Sequence, residues 1–132
     1  MKEIELARVL LVDHDVASRL TLKTVLEAGG YAVDSAASAE EAVNKLDEQQ
    51  YELVLSDLQM ESPEAGLQVL AHARLMDYKP ATAILTTYQN KVPSVRRAVL
   101  IEPEDLPGLL TKVADLISQR AARIVERQLR EM

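Results

Sequence analysis

The sequence predicts an α/β fold in which helices cover both faces of a parallel β-sheet. Four short aliphatic runs lack any alternation of apolar and polar residues: 9–12, 53–55, 83–85 and 98–101. Strands that are buried on both faces of a sheet have this character. Patterns with helical spacing lie between these runs, and a repeated order of strand and helix is typical of right-handed βαβ units. We therefore expect one domain built on a doubly wound sheet, because 132 residues leave little room for two cores.

The first helix and the second strand follow from local patterns near the start of the chain. Residues 31–35 alternate apolar and polar, which suits a strand at the edge of the sheet. The first helix is predicted over Val16–Ala28, and Gly29 and Gly30 are expected to end it. Its apolar stripe is expected to contain four residues: Ala17, Leu20, Val25 and Ala28.

Capping signals predict where the second and third helices begin. Ser38 followed by Glu41 is a capping box for a helix that continues through Leu46. Ser62 before Pro63 predicts an N-cap with proline at the first helical position.

The last third of the chain predicts one short helix and one long helix. Pro93 interrupts residues 86–102, so we expect a shortened fourth helix there. A final helix is predicted from Asp105 and continues into an arginine-rich segment that retains Ile124 and Leu129. We expect a domain over residues 1–118 and a helical extension over 119–132. This extension is expected to form a homodimer or to connect to an output domain, and the alternative is a frayed surface helix.

Composition excludes several classes of function. The net charge is −6, whereas binding of DNA or RNA through the phosphate backbone requires clustered basic residues, so no direct contact with nucleic acid is expected. The chain has no cysteine, which excludes disulfides and thiolate metal sites. No apolar run approaches the roughly 20 residues that span a membrane, and the start of the chain is too acidic for a signal peptide. A cytoplasmic protein without membrane contact is the expectation.

Acidic and hydroxyl side chains follow the predicted strands. Ligands bind beyond the carboxyl ends of the strands in such sheets, so the residues there are the candidates for a site. They are Asp13-His14-Asp15, Ser56-Asp57, Thr86-Thr87 and Glu102-Pro103. Clustered carboxylates repel one another unless a cation joins them, and hard oxygen ligands suit Mg²⁺. A carboxylate beside Mg²⁺ can attack phosphorus, and a hydroxyl such as Thr86 can stabilise the moving phosphoryl oxygens.

Several of these segments together resemble the response-regulator receiver domain over roughly residues 7–118. The segments are Val9–Asp15, Leu53–Met60 with its Ser-Asp-Leu-Gln-Met sequence, Ile84–Tyr88 and the strand that ends at Pro103. The resemblance implies a flavodoxin-like (βα)5 fold with a five-stranded doubly wound parallel sheet. It also implies that Asp57 accepts a phosphoryl group, that Mg²⁺ lies between Asp13, Asp57 and the backbone carbonyl of Gln59, and that Thr86 is the switch hydroxyl.

The resemblance also implies a role and partners. The implied role is phosphorelay signalling in a bacterial two-component system, through protein–protein contacts and not through catalytic turnover. The implied partners are a histidine kinase or a phosphotransfer protein, and a downstream protein or output domain.

Four features depart from the family pattern. His14 replaces an acid that normally contacts the metal, Glu102 replaces a lysine that neutralises the phosphoryl group, Val99 replaces an aromatic residue that couples to the threonine, and the fourth helix is shortened. The change at Glu102 matters most, because two unit charges about 4 Å apart interact by roughly 4 kcal/mol at an effective dielectric near 20. The active site is therefore expected to be atypical.

Each of these functional roles has a purely structural alternative. Asp57 can be an inactive remnant that only stabilises the rim, by which we mean the residues at the carboxyl ends of the strands. Asp13 can be a helix N-cap, and Thr86 can be an ordinary loop hydroxyl. His14 and Glu102 are two further candidates for metal contact, or else exposed polar residues. At the level of the domain, the alternatives are a pseudo-receiver that binds partners without phosphorylation and an aspartate-nucleophile phosphatase-like enzyme. The enzyme lacks support, because Asp57-Leu58-Gln59 offers no second acid for it.

Overall fold

One parallel sheet forms the centre of the protein. The computed structural model describes residues 7–57, 60–62, 64–85, 100–102 and 105–132. The strands are β1 Arg8–Val12, β2 Ala32–Ala36, β3 Leu53–Asp57, β4 Ala81–Leu85 and β5 Leu100–Ile101. Their order across the sheet is β2-β1-β3-β4-β5, and every neighbouring pair is parallel. The predicted doubly wound fold is confirmed, and β2 lies at an edge as its alternating pattern predicts.

Helices cover both faces of the sheet, which explains why the strands show no alternation. They are α1 Val16–Ala28, α2 Ala39–Glu48, α3 Ala65–Arg74 and α4 Leu106–Arg130. Val9 and Leu11 of β1 pack in the core beneath α1 and α4, whereas Leu10 and Val12 pack in the core beneath α2 and α3. The shortened helix predicted within residues 86–102 lies outside the described residues. None of the helices described combines the length and the apolar character that a membrane span requires.

Side-chain caps start the first two helices. Asp15 Oδ2 accepts a hydrogen bond of 2.8 Å from the backbone N–H of Ser18 at the start of α1. Ser38 Oγ accepts one of 3.2 Å from Glu41 N–H, which confirms the predicted cap of α2. Glu41 in turn accepts from the backbone N–H of Ala37 at 3.1 Å. The bonds from Ser18 and Glu41 satisfy N–H groups that have no partner within their own helix, and the bond from Ala37 satisfies one just before α2.

Two local predictions were wrong. Of the predicted stripe of α1, Val25 packs against the core, but the other three residues are exposed, and Leu20 is 59% exposed. The buried residues are Leu22 and Leu26, so the face of α1 toward the sheet is rotated from the predicted stripe. Ser62 does not cap α3 with its side chain. That helix starts at Ala65, whose N–H donates to the carbonyl of Ser62 at 3.2 Å.

The C-terminal helix α4 is unbroken over 25 residues. Its first half buries Leu109, Val113 and Leu116 against the sheet. The Arg120 guanidinium then donates to the carbonyls of Tyr78 at 2.6 Å and Lys79 at 2.9 Å, just before β4. The helix therefore crosses the boundary predicted at residues 118 and 119 without interruption, and the division into two parts stays a prediction.

Candidate functional site

Asp13 supplies a buried carboxylate at the carboxyl end of β1. Its side chain is 1% exposed, and Oδ1 accepts a hydrogen bond of 3.0 Å from the backbone N–H of Asp15. The backbone of Asp13 is held as well, because its N–H donates to Ala36 at 3.0 Å and its carbonyl accepts from Arg19 at 2.8 Å. The N-cap role that was the alternative for Asp13 belongs to Asp15. Asp13 is thus a fixed acid that does not cap the helix.

Asp57 is the last residue of β3 and lies beside Asp13 in register. Val12 pairs with Ser56 across β1 and β3, so the next residues on the two strands, Asp13 and Asp57, lie at the same level. Neighbouring strands are about 5 Å apart, which brings the two backbones into close proximity. The order of the strands reverses between β1 and β3, and ligands bind at that point in sheets of this topology. The two acids are therefore brought together at the expected position.

Gly66 permits a close approach of α3 to the end of β3. A Cβ atom at this position would come within 3.0 Å of the Asp57 carbonyl oxygen and 3.5 Å from Ser56 Oγ. Only glycine permits so close an approach of two backbones without movement. The first turn of α3 thus supports the residue that carries the candidate phosphoacceptor.

His14 and Glu102, the two further candidates, lie at different places around the rim. His14 is exposed, and its Nδ1 lies 3.3 Å from the carbonyl oxygen of Ala37 in the β2–α2 turn. Glu102 is exposed directly after β5. Since Leu85 pairs with both Asp57 and Ile101, Glu102 lies two strands away from Asp57.

Three predicted residues fall outside the described part of the chain. They are Gln59 with its backbone carbonyl, the switch hydroxyl Thr86 and the substituted position Val99. Their roles remain predictions.

The donor set at the rim fits Mg²⁺. This ion binds through one or two carboxylates and keeps several waters, and Asp13 and Asp57 are two hard oxygen donors at one level. A structural zinc site instead needs four ligands, commonly histidine and cysteine. Within the ranges that the structure describes, no group of three or more histidine, cysteine, aspartate or glutamate side chains could hold a metal ion. The arrangement suits a cation that shares its coordination with solvent or a phosphoryl group.

Sequence reasoning missed two residues at this site. The signal for Gly66 was a glycine inside a helical pattern, which often marks a close backbone approach. Glu61 binds the backbone N–H of Ala39 at the start of α2 through both carboxylate oxygens at 3.2 Å. Nothing in the pattern around Glu61 predicts this long-range contact.

Comparison with protein families and curated proteins agrees with this geometry. A family model described as the response regulator receiver domain matches residues 9–117. The chain is 30% identical over 127 residues to the transcriptional regulatory protein GlrR of Escherichia coli K12, in an alignment that covers 92% of this chain and 28% of GlrR. The chain spans between 11% and 34% of the length of the curated relatives it matches.

Solved structures show the same architecture. The response regulator protein TrrA from Thermotoga maritima, crystallised in complex with Mg(2+)-BeF, is 28% identical with a TM-score of 0.74 and covers 84% of this chain and 99% of TrrA. NtrX from Brucella abortus, in complex with ADP, is 20% identical with a TM-score of 0.82 and covers 94% of this chain and 29% of NtrX. At that identity the likeness to NtrX concerns the fold alone.

Proposed function

This chain belongs to the response regulator receiver domain family of two-component signalling, and we propose that its Asp57 accepts a phosphoryl group from a histidine kinase or a phosphotransfer protein. Receiver domains are generally signalling modules without catalytic turnover. The observation that carries the proposal is the register of Asp13 and Asp57 at the carboxyl ends of β1 and β3.

The proposed transfer uses the carboxylate of Asp57 as the nucleophile. One of its oxygens attacks the phosphorus of a phosphohistidine, a new O–P bond forms while the N–P bond breaks, and the released imidazole takes up a proton. The buried carboxylate of Asp13 sets the local negative charge that a cation must balance. Gly66 supports the backbone of Asp57 during the transfer.

We propose that Mg²⁺ binds between Asp13, Asp57 and the backbone carbonyl of Gln59. When bound, the ion would neutralise charge on the phosphoryl oxygens. Receiver domains generally bind Mg²⁺, and the two carboxylates described above suit it. Thr86 is proposed to contact the transferred phosphoryl group.

We propose two kinds of partner protein, one that delivers the phosphoryl group and one that receives the signal. Val16 and Leu20 are large apolar residues exposed on the first turns of α1, which begins three residues after Asp13, and exposed apolar residues near a polar site favour a docking protein. Because the chain spans 28% of the length of GlrR, we propose that an output domain or a separate downstream protein receives the signal. Phosphotransfer of this kind is proposed to take place in the cytoplasm, without contact between this domain and nucleic acid.

The test is phosphorylation by a small donor. The protein is incubated with a small-molecule phosphodonor and Mg²⁺, and intact mass is measured with Asp57→Ala as the control. We expect an acid-stable, base-labile adduct in the natural protein, a reduced yield when Mg²⁺ is chelated, and no adduct in Asp57→Ala.

The competing proposal is a pseudo-receiver whose surface binds partners without phosphorylation. Two observations favour it: Glu102 is an exposed acid at the end of β5, and His14 lies against Ala37. A folded protein that forms no adduct would support this alternative. Release of phosphate with repeated turnover would instead support the phosphatase-like enzyme.

The segment of α4 beyond Arg120 is proposed to form a homodimer. Val125 is 54% exposed and Leu129 is 63% exposed, and their spacing of four residues places both on one side of the helix. We expect Val125→Glu with Leu129→Glu to shift sedimentation from dimer to monomer, because charges at a helix seam oppose association. Leu75→Glu, which alters an exposed leucine just after α3, is the matched control and should leave the dimer unchanged. A natural protein that sediments as a monomer at all concentrations contradicts the proposal.

A further inference from the structure

The turn between β2 and α2, residues 37–38, and the first residue of α2, Ala39, lie in contact with both acid-bearing segments of the site. His14, which directly follows Asp13, lies with Nδ1 3.3 Å from the carbonyl oxygen of Ala37. Glu61, four residues after Asp57, accepts from the backbone N–H of Ala39 through both carboxylate oxygens at 3.2 Å. We call His14, Glu61 and residues 37–39 the β2–α2 brace.

The contact of Glu61 is favourable because it ends on the N-terminus of a helix. Ala39 is the first residue of α2, and its N–H is one of the donors that have no partner within the helix. The positive end of the helix dipole further stabilises a carboxylate at this position. Ser38 and Glu41 satisfy neighbouring donors, so Glu61 completes the cap of α2 from a different part of the chain.

The segment that carries Glu61 is also held by the core. Met60 is buried beneath α2 and α3, in the same cluster as Ala42 and Leu46 of α2. The chain is therefore fixed to α2 twice within four residues of Asp57, by the side chain of Met60 and by the carboxylate of Glu61.

We propose that His14 and Glu61 are positioning residues, which hold the segments carrying Asp13 and Asp57 against the start of α2. Neither side chain touches the phosphoryl group or the metal in this role. Glu61 holds residues 60 and 61 at the start of α2, and loss of this contact is expected to weaken the binding of a cation at Asp57. The part of this inference that concerns Mg²⁺ rests on the proposed function.

The experiment compares five proteins by two-dimensional NMR: the natural chain, Glu61→Ala, Glu61→Gln, His14→Ala and the control Glu40→Ala. Glu40 lies in the first turn of α2 and takes no part in the brace. In metal-free Glu61→Ala we expect hydrogen exchange at the Ala39 amide to rise and the signal of the Asp57 amide to shift. We expect the Mg²⁺ dissociation constant to rise about two- to tenfold, the range for loss of one hydrogen bond. Glu61→Gln retains an acceptor oxygen and should recover part of both effects, and His14→Ala should shift the Asp13 signal.

The outcomes separate this inference from the proposed function. If the natural chain binds no Mg²⁺, the proposed metal site fails, while the metal-free signals of Ala39 and Asp57 still decide the positioning role. If the metal-free signals of Ala39 and Asp57 are the same in Glu61→Ala as in Glu40→Ala, the inference is overturned, even when Mg²⁺ binds normally. Equal loss of Mg²⁺ binding in Glu61→Ala and Glu40→Ala also overturns it, because total charge would then be the cause.

Discussion

Replacing Glu102 with lysine is expected to raise the yield of phosphorylated Asp57 about tenfold at a fixed concentration of phosphodonor. Glu102 follows β5 two strands from Asp57, so the two backbones are about 10 Å apart and a long side chain can extend toward the phosphoryl group. At about 6 Å and an effective dielectric of about 20, a pair of unit charges interacts by about 3 kcal/mol. Residue 102 is exposed to solvent, which reduces this interaction energy. We therefore expect an increase in yield of only about tenfold.

The control for this substitution is Glu48→Lys, which changes the net charge by the same amount. Glu48 is exposed at the end of α2. This helix starts near the carboxyl ends of the strands and runs away from them, so Glu48 lies far from the acids. Intact mass after a fixed incubation gives the yield for the three proteins. An equal rise in both variants would show that net charge governs the reaction, and no rise in either would show that residue 102 does not face the phosphoryl group.

Replacing Gly66 with alanine is expected to lower the free energy of unfolding and to impair phosphorylation of Asp57. The added methyl group would approach the Asp57 carbonyl oxygen closer than 3.0 Å, so β3 and α3 must separate. Overpacking of this kind costs about 1–3 kcal/mol. Urea unfolding measures the stability, and the adduct yield reports the displacement of Asp57.

Helix propensity alone predicts the opposite sign, which makes the experiment decisive. Alanine is more favourable than glycine inside a helix by about 1 kcal/mol. Ala71→Gly, at an exposed position of the same helix, measures that preference without the steric contact. A Gly66→Ala protein that is more stable than the natural chain would refute the steric argument.

Much of the fold was predictable because its signals are local or periodic. The aliphatic runs led to β1, β3 and β4, and the capping box at Ser38 led to the start of α2. The meeting of Asp13 and Asp57 was predictable as well, since parallel strands bring their carboxyl ends to one edge of a sheet.

Other features depend on packing between distant segments and leave no pattern in the sequence. The rotation of α1 that buries Leu22 and exposes Leu20 is decided by the surface of the sheet beneath it. Ser62 does not cap α3, and the close approach of Gly66 to Asp57 depends on how that helix packs against β3. The contact of Glu61 with Ala39 joins residues that are 22 positions apart in the sequence.

The hydrogen bonds from Arg120 to the carbonyls of Tyr78 and Lys79 fix α4 at a second place, beyond its packed first half. The helix begins after Asp105, close in sequence to Glu102 at the carboxyl end of β5. It extends about 21 Å to Arg120 and about 15 Å beyond it. Because the first half is packed against the sheet and Arg120 holds the helix a second time, the direction in which the last 15 Å project is set by the domain itself.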